Sequence, residues 1–345
     1  MIQPGHRAGI GYGEWKKPWD RMSESEKRNE VMLRVKTNIE RQQQTEYGSL
    51  ELQSGWARWR EDVVDMGMSW SSLFQMGDSL VGFMLRSVYG TAVTPSRVAK
   101  WSDEEDGMCK MCKNKLGTIQ HILSGCRVAL SQGRYTWRHD KVLREIHNQL
   151  QYHLKHRVNI QNRRLTAKKK HTEFVSVGEK IAAPRKKTNR EVGILNEAND
   201  WVLEVDLGKQ LKFPDFIAGK QFRCRPDIVF YSMSVRKVVW WELTCPVEER
   251  IAESQIIKVK RYEELEAACK MNGWSCHNTA IEIGARGCVG ESMRTAAAAV
   301  GIRGRPLRKL IRDVGRQAVF CSKWIYWWSG RSDWVLKDVE PVSSK

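Results

Sequence analysis

The stretch from Arg225 to Tyr262, RPDIVFYSMSVRKVVWWELTCPVEERIAESQIIKVKRY, constrains the fold more tightly than any other part of the chain. Two β-type runs, IVFY and VVWWEL, are joined by a short turn. A helical segment follows Pro246. A hairpin symmetric about Ser234 and Val235 puts Asp227 opposite Glu242, because the two are equidistant from that centre. Directly opposed residues of an antiparallel pair point to one face, with Cβ atoms roughly 5 Å apart. Two carboxylates would then share a sheet face, at a spacing suited to one divalent metal ion.

The helix after the hairpin adds a third group. At about 100° per residue, Lys258 shares a face with Ile251, Ser254, Gln255, Tyr262 and Leu265, whereas Glu249, Glu253, Lys260 and Glu264 lie opposite. Lys258 is expected to turn inward beside the acids, and Lys260 to be solvated. Two acids and an inward lysine suit a metal-dependent phosphodiesterase. The acids hold Mg²⁺ through oxygen, and the lysine orients the attacking water or neutralises developing charge. A strand-capping Asp, a strand-end Glu and a helical Lys also occur without catalysis in α/β domains, so spacing alone leaves both readings open.

The stretch resembles the PD-(D/E)XK nuclease superfamily. In particular it resembles the restriction-like endonuclease at the C-terminal end of one class of non-LTR retrotransposon polyproteins. Arg225-Pro226-Asp227 matches the family's R/K-P-D element and Glu242 its second acid. Thr244 stands where the usual lysine would be. In the retrotransposon subfamily that lysine lies on the following helix in a K-x-x-x-Y arrangement, which Lys258 and Tyr262 match. The resemblance implies that Asp227 and Glu242 bind Mg²⁺, that Lys258 assists the attacking water, and that Tyr262 buttresses the lysine or contacts phosphate.

A second motif lies upstream. Cys109, Cys112, His121 and Cys126 form C-x2-C-x8-H-x4-C within CKMCKNKLGTIQHILSGC. Four N/S donors suit tetrahedral Zn²⁺ in a closed structural site; incidental cysteines are the alternative. The element is similar to the C-C-H-C knuckle that precedes the endonuclease in the same retrotransposon family. The nine cysteines of the chain are an odd number, and MIQPGHRAGIGYGEWKK lacks an apolar signal-peptide core, so a reducing intracellular compartment is expected. No run approaches 18 apolar residues, so no transmembrane helix and no membrane partner are expected.

Charge points to a polyanion. The formal net charge is +18 over 345 residues, and it is clustered. Residues 155–190 carry twelve Lys or Arg against two acids, with poor periodicity. This segment reads as an extended tether, a nuclear localisation signal or a nucleic-acid arm, and the three are compatible. The localisation signal would use Lys168, Lys169 and Lys170 together with Arg185, Lys186 and Lys187. As an arm, the segment would set Lys168, Lys169 and Lys170 against phosphate. GRYTWRHD, with Arg134, Tyr135, Trp137, Arg138 and His139, interleaves basic and aromatic residues. It suits phosphate contact and stacking, or equally a core aromatic pair flanked by surface arginines. Arg286, among small residues in IEIGARGCVG (281–290), either approaches a DNA phosphate or sits in a turn that only needs its glycines. Arg225 joins this candidate nucleic-acid set. Of the fifteen tryptophans, most are expected in cores, with a few free to stack on bases.

The organisation expected from these signals is a polar arm at 1–55 and a helical segment at 56–100. The knuckle with its basic helix occupies 101–154, and a basic linker 155–192. A restriction-like endonuclease domain spans 193–303, with a strand at 201–207 that carries Asp206, and a helical segment closes the chain at 304–345. Pro214-Asp215 is expected to be a loop without a matching second acid. The fold class is α/β, α+β overall: a mixed sheet flanked by helices, preceded by the helical region with the knuckle. No polymerase motif such as Tyr-x-Asp-Asp is found. The resemblance therefore implies a nuclear, Mg²⁺-dependent endonuclease that nicks target DNA for target-primed reverse transcription. Its partners would be DNA, the element's RNA and a reverse transcriptase domain encoded upstream, and no small-molecule cofactor is expected. The alternatives are a catalytically inactive nucleic-acid-binding remnant and a zinc-organised protein-interaction module.

Overall fold

The computed structural model describes residues 19–50, 56, 59, 62–64, 70–103, 106–166, 193–208, 210–219, 224–331 and 334, with the backbone alone for Trp70, Ser72 and 157–166. The lysine cluster expected to meet nucleic acid, Lys168, Lys169 and Lys170, lies outside the described residues, as do Arg185, Lys186 and Lys187. Helix α1 (Glu24–Gly48) starts on a capping box between Ser23 and Glu26 and buries no side chain. Helix α2 (Asp78–Val88) buries Leu80, Phe83 and Met84 and ends before Gly90, whose φ is 65°. Phe74 and Leu85 are exposed.

Helix α3 runs from Arg134 to Thr166. The expected linker from 155 therefore begins inside a helix. KHRVNIQNRRLT contains no Gly or Pro and many good helix formers, so the helix nucleated by the packed first turns extends through it.

Strand β1 (Val202–Val205) precedes the hairpin of β2 (Ile228–Ser232) and β3 (Lys237–Thr244). Helices α4 (Ile251–Arg261) and α5 (Glu263–Met271) lead to β4 (Ser275–Glu282). Helices α6 (Glu291–Ala299) and α7 (Gly304–Trp327) follow. The sheet order is β1-β2-β3-β4; the first two pairings are antiparallel and the last is parallel. The molecule is thus α+β with a mixed four-stranded sheet among the described residues. The first half of β4, SCHNT, is polar and partly exposed, and the IGARGCVG segment after the strand is a turn closed by the Ile283–Val289 bridge.

Strand β3 is central and buried on both faces, which explains its near-continuous apolar run. Trp240 points to one side, with Val229, Tyr262, Leu265, Cys269 and Trp274. Trp241 points to the other, with Phe230, Ile281 and Ile283. That second face is covered by Val142, Leu143, Ile146 and Leu150 of α3 and by Leu310, Ile311, Val314 and Ala318 of α7. One core therefore joins segments that were expected in three separate regions. Truncating either tryptophan would cost about 3–5 kcal/mol.

Candidate metal centre and carboxylate site

The knuckle is built locally. Cys109 and Cys112 sit on a turn in which Cys109 N–H donates to Lys115 O at 2.8 Å and Lys113 N–H donates to Cys109 O at 2.8 Å. A five-residue π-helical turn, His121–Gly125, presents His121, and Cys126 follows it directly. The four donor atoms lie within 4.8 Å of one another. Sγ of Cys109 is 3.9 Å from Sγ of Cys126, and Sγ of Cys112 is 3.3 Å from Nε2 of His121. Tetrahedral zinc with S and N ligands needs donor separations of roughly 3.5–3.8 Å, so the set fits a metal ion such as zinc.

The electrostatics of the cluster divide by exposure. Burial pushes the Cys109 thiol up to about 11. Cys112 is held below its ordinary value because backbone N–H groups of Asn114 and Lys115 outweigh its slight burial. Burial, then the charge of Lys115, lowers His121 and favours the neutral, ligating imidazole. Tyr135 ties the cluster down: its hydroxyl donates to Ile122 O at 2.9 Å and accepts from Cys126 N–H at 3.1 Å.

The carboxylate site is built by register. Ile228 pairs with Trp241 and Ser232 with Lys237, so the hairpin is centred between Ser234 and Val235 as its symmetry implied. Continuing that register by one residue sets Asp227 opposite Glu242. Asp227 Oδ2 accepts from Leu243 N–H at 2.6 Å, which fixes the carboxylate against the neighbouring strand. Glu242 is 4% exposed and both its oxygens are engaged from the helices above. Lys258 Nζ donates to Oε1 at 2.5 Å, and Tyr262 O–H donates to Oε2 at 2.6 Å. Arg261 stands 3.8 Å from Oε1. Lys260 is exposed. The helix-face argument therefore brings the intended lysine to the second acid.

One group here was not read from the sequence as part of this site. His139, from α3, places Nε2 3.4 Å from Asp227 Oδ1, with its Nδ1 3.1 Å from Asp140. Burial opposes its charge, but the two carboxylates outweigh burial and push it up to about 11. No local pattern could flag it, because it reaches Asp227 only through the packing of α3 on the sheet. Arg225 turns to Asp206 at 3.0 Å, and its carbonyl oxygen lies 3.2 Å from the Tyr262 hydroxyl. Asp206, just after β1, also accepts from Leu211 N–H at 2.7 Å.

Three of the arginines expected to meet nucleic acid are interior. Arg134 is fully buried and donates to the carbonyls of Trp328 at 2.7 Å and Arg331 at 2.8 Å. Arg138 donates to Leu123 O at 2.8 Å, Ser322 Oγ at 3.0 Å and Cys245 O at 2.8 Å. It thus ties the knuckle, α7 and the end of β3 together. Arg286 is clamped by Glu248 at 3.1 Å and Glu249 at 2.8 Å. A Cβ at Gly284 would lie 2.3 Å from Glu248 Oε1, so the glycines of that turn serve close packing. Trp137 meets the edge of Trp334, with ring centroids 5.5 Å apart. The basic set expected to meet nucleic acid thus divides. Arg134, Arg138 and Arg286 are corrected to structural roles, Arg225 pairs with Asp206, and Lys168, Lys169 and Lys170 fall outside the described residues. For Arg134 and Arg138 the physical reason is shared: the turns around them are rich in carbonyls, and a buried guanidinium with its five donors satisfies several at once.

A scan against protein-family models gives no match, and a search of curated protein sequences gives none either.

Proposed function

We propose that the chain is a metal-dependent endonuclease that nicks DNA, and that Asp227, Glu242, Lys258 and Tyr262 form its active site. The observation that carries this reading is the convergence of Lys258 Nζ and Tyr262 O–H on the two oxygens of Glu242, on the strand directly opposite Asp227. Two carboxylates are a sufficient protein contribution for Mg²⁺, which keeps several waters and takes its remaining ligands from substrate phosphate. Bound there, the ion would polarise the scissile phosphate. Lys258, already beside the second acid, orients a water or offsets charge developing on phosphate. Tyr262 O–H holds one oxygen of Glu242, and Leu243 N–H holds one oxygen of Asp227.

The Cys109, Cys112, His121 and Cys126 cluster is proposed to hold structural zinc. All four positions are protein donors, which leaves no open position for chemistry. The resemblance to the C-terminal region of retrotransposon polyproteins supports target DNA as the substrate, the element's RNA and an upstream reverse transcriptase as partners, and the nucleus as the place of action.

The test is nicking of supercoiled plasmid in Mg²⁺ by the wild-type protein and by Asp227→Ala. Cleavage by the wild type that disappears in the variant is expected. Retained DNA binding with no metal-dependent cleavage by either protein would favour the inactive binding remnant, which Thr244 in the usual lysine position motivates.

A further inference from the structure

The last long helix carries a basic face that none of the motifs above uses. In α7 the residues Arg305, Arg308, Lys309, Arg312 and Arg316 fall within about a 100° arc at the helical period of 100° per residue. All five are exposed. The opposite side of the same helix buries Leu310, Ile311, Val314 and Ala318 in the core. Arg312 has only a long contact to Asp313, at 3.5 Å, and Asp313 also accepts from Gln149 of α3. The stripe ends where the segment around α2 covers the helix: Arg316 donates to Gln75 O at 3.3 Å and Lys323 to Ser79 Oγ at 2.6 Å.

This arrangement works against the helix that bears it. Like charges at i,i+4, as in Arg305 with Lys309, Arg308 with Arg312, and Arg312 with Arg316, repel one another. Cations in the first turns also oppose the positive end of the helix dipole. The first turn of α7 holds no acidic residue, whereas α1, α2 and α6 each open on one. An anionic partner lying along the face would offset both penalties.

We infer that this face binds the phosphate backbone of duplex DNA. The choice of duplex DNA rests on the endonuclease reading; the charge argument stands without it. Helix α7 covers the sheet face that Trp241 occupies, whereas Glu242 points to the other, so the stripe is a surface separate from the carboxylate site.

The experiment measures binding of a short duplex as a function of salt, without Mg²⁺, in the Asp227→Ala background so that cleavage cannot interfere. Two triple variants are compared: Arg305→Gln, Arg308→Gln, Arg312→Gln on α7, and Arg28→Gln, Lys36→Gln, Arg41→Gln on α1. They remove equal charge, and glutamine is a good helix former, so both helices persist. The α7 triple is expected to weaken binding more than about tenfold and to lower the salt slope by roughly 3, with little change for the α1 triple. Equal weakening by both triples would reduce the effect to net charge and overturn the inference. So would an unchanged slope in the α7 triple, even if the wild type nicks DNA. Displacement of the duplex by single-stranded RNA at far lower concentration would overturn the assignment of the ligand. If the wild type fails to nick but the α7 triple still loses its slope, the endonuclease reading fails and this binding surface stands.

Discussion

The knuckle and the carboxylate site gather their groups in different ways. Cys109, Cys112, His121 and Cys126 come from one turn and one short π-helical segment, and their donor atoms converge within 4.8 Å. The carboxylate site draws Asp227 and Glu242 from two strands, Lys258 from α4, Tyr262 from the break between α4 and α5, and His139 from α3. The ligands of the first all come from one short stretch of chain, held from α3 by Tyr135. The second needs the hairpin register, the docking of α4 and the packing of α3 on the far side of the sheet. Damage to distant packing should therefore reach the carboxylates more readily than the knuckle, and loss of the knuckle's metal should be felt as lost stability.

The largest expected effect is removal of a metal ion from the Cys109, Cys112, His121 and Cys126 cluster, which the proposal assigns to zinc. Chelation, or Cys109→Ser, should lower the melting temperature by more than about 10 °C, and zinc should restore the chelated protein. A melt unchanged by chelation would show that the four residues fold without an ion. Next comes Arg138, the residue that joins the two regions. Arg138→Met strands the carbonyls of Leu123 and Cys245 and should cost about 3 kcal/mol in denaturant unfolding, with DNA affinity per folded molecule unchanged. Weaker DNA binding at unaltered stability would return Arg138 to the nucleic-acid interface.

A smaller effect concerns Glu282, at the end of β4. It is 1% exposed and accepts from Ser292 O–H. Burial pushes its carboxyl up to about 7. A folded-state value raised above the ordinary one means that the stabilising contribution is complete below pH about 4.5 and is lost as pH rises through about 7. The wild type should lose roughly 3 kcal/mol over that interval relative to Glu282→Gln. Parallel pH–stability curves for the two proteins would contradict this.

How much of this was legible in the sequence follows the same division. The knuckle ligands could be read from spacing, because residues that close together are brought together by any compact turn. The opposition of Asp227 and Glu242 could be read because a hairpin's symmetry fixes its register. The helical period separated Lys258 from Lys260. The failures lie where long-range packing decides. Arg134 and Arg138 read as phosphate ligands because charge near aromatics suggests a surface, yet each finds carbonyls contributed by residues far away in the chain. His139 and the Arg225–Asp206 pair are invisible for the same reason. The basic face of α7 was not read from the sequence, and it is burial that separates it from the core side of the helix.

Under the proposed endonuclease function, the active-site lysine is carried on the helix, at Lys258, and not two residues after the second acid. Single-turnover plasmid nicking in Mg²⁺ by Lys258→Ala and Lys260→Ala tests it most directly. The two residues lie on one helix and carry one charge each, but only Lys258 touches Glu242. Lys258→Ala should slow cleavage by at least about a hundredfold, and Lys260→Ala should stay within about twofold of wild type. Equal rates for the two variants would contradict the assignment, and a larger loss in Lys260→Ala would reverse it.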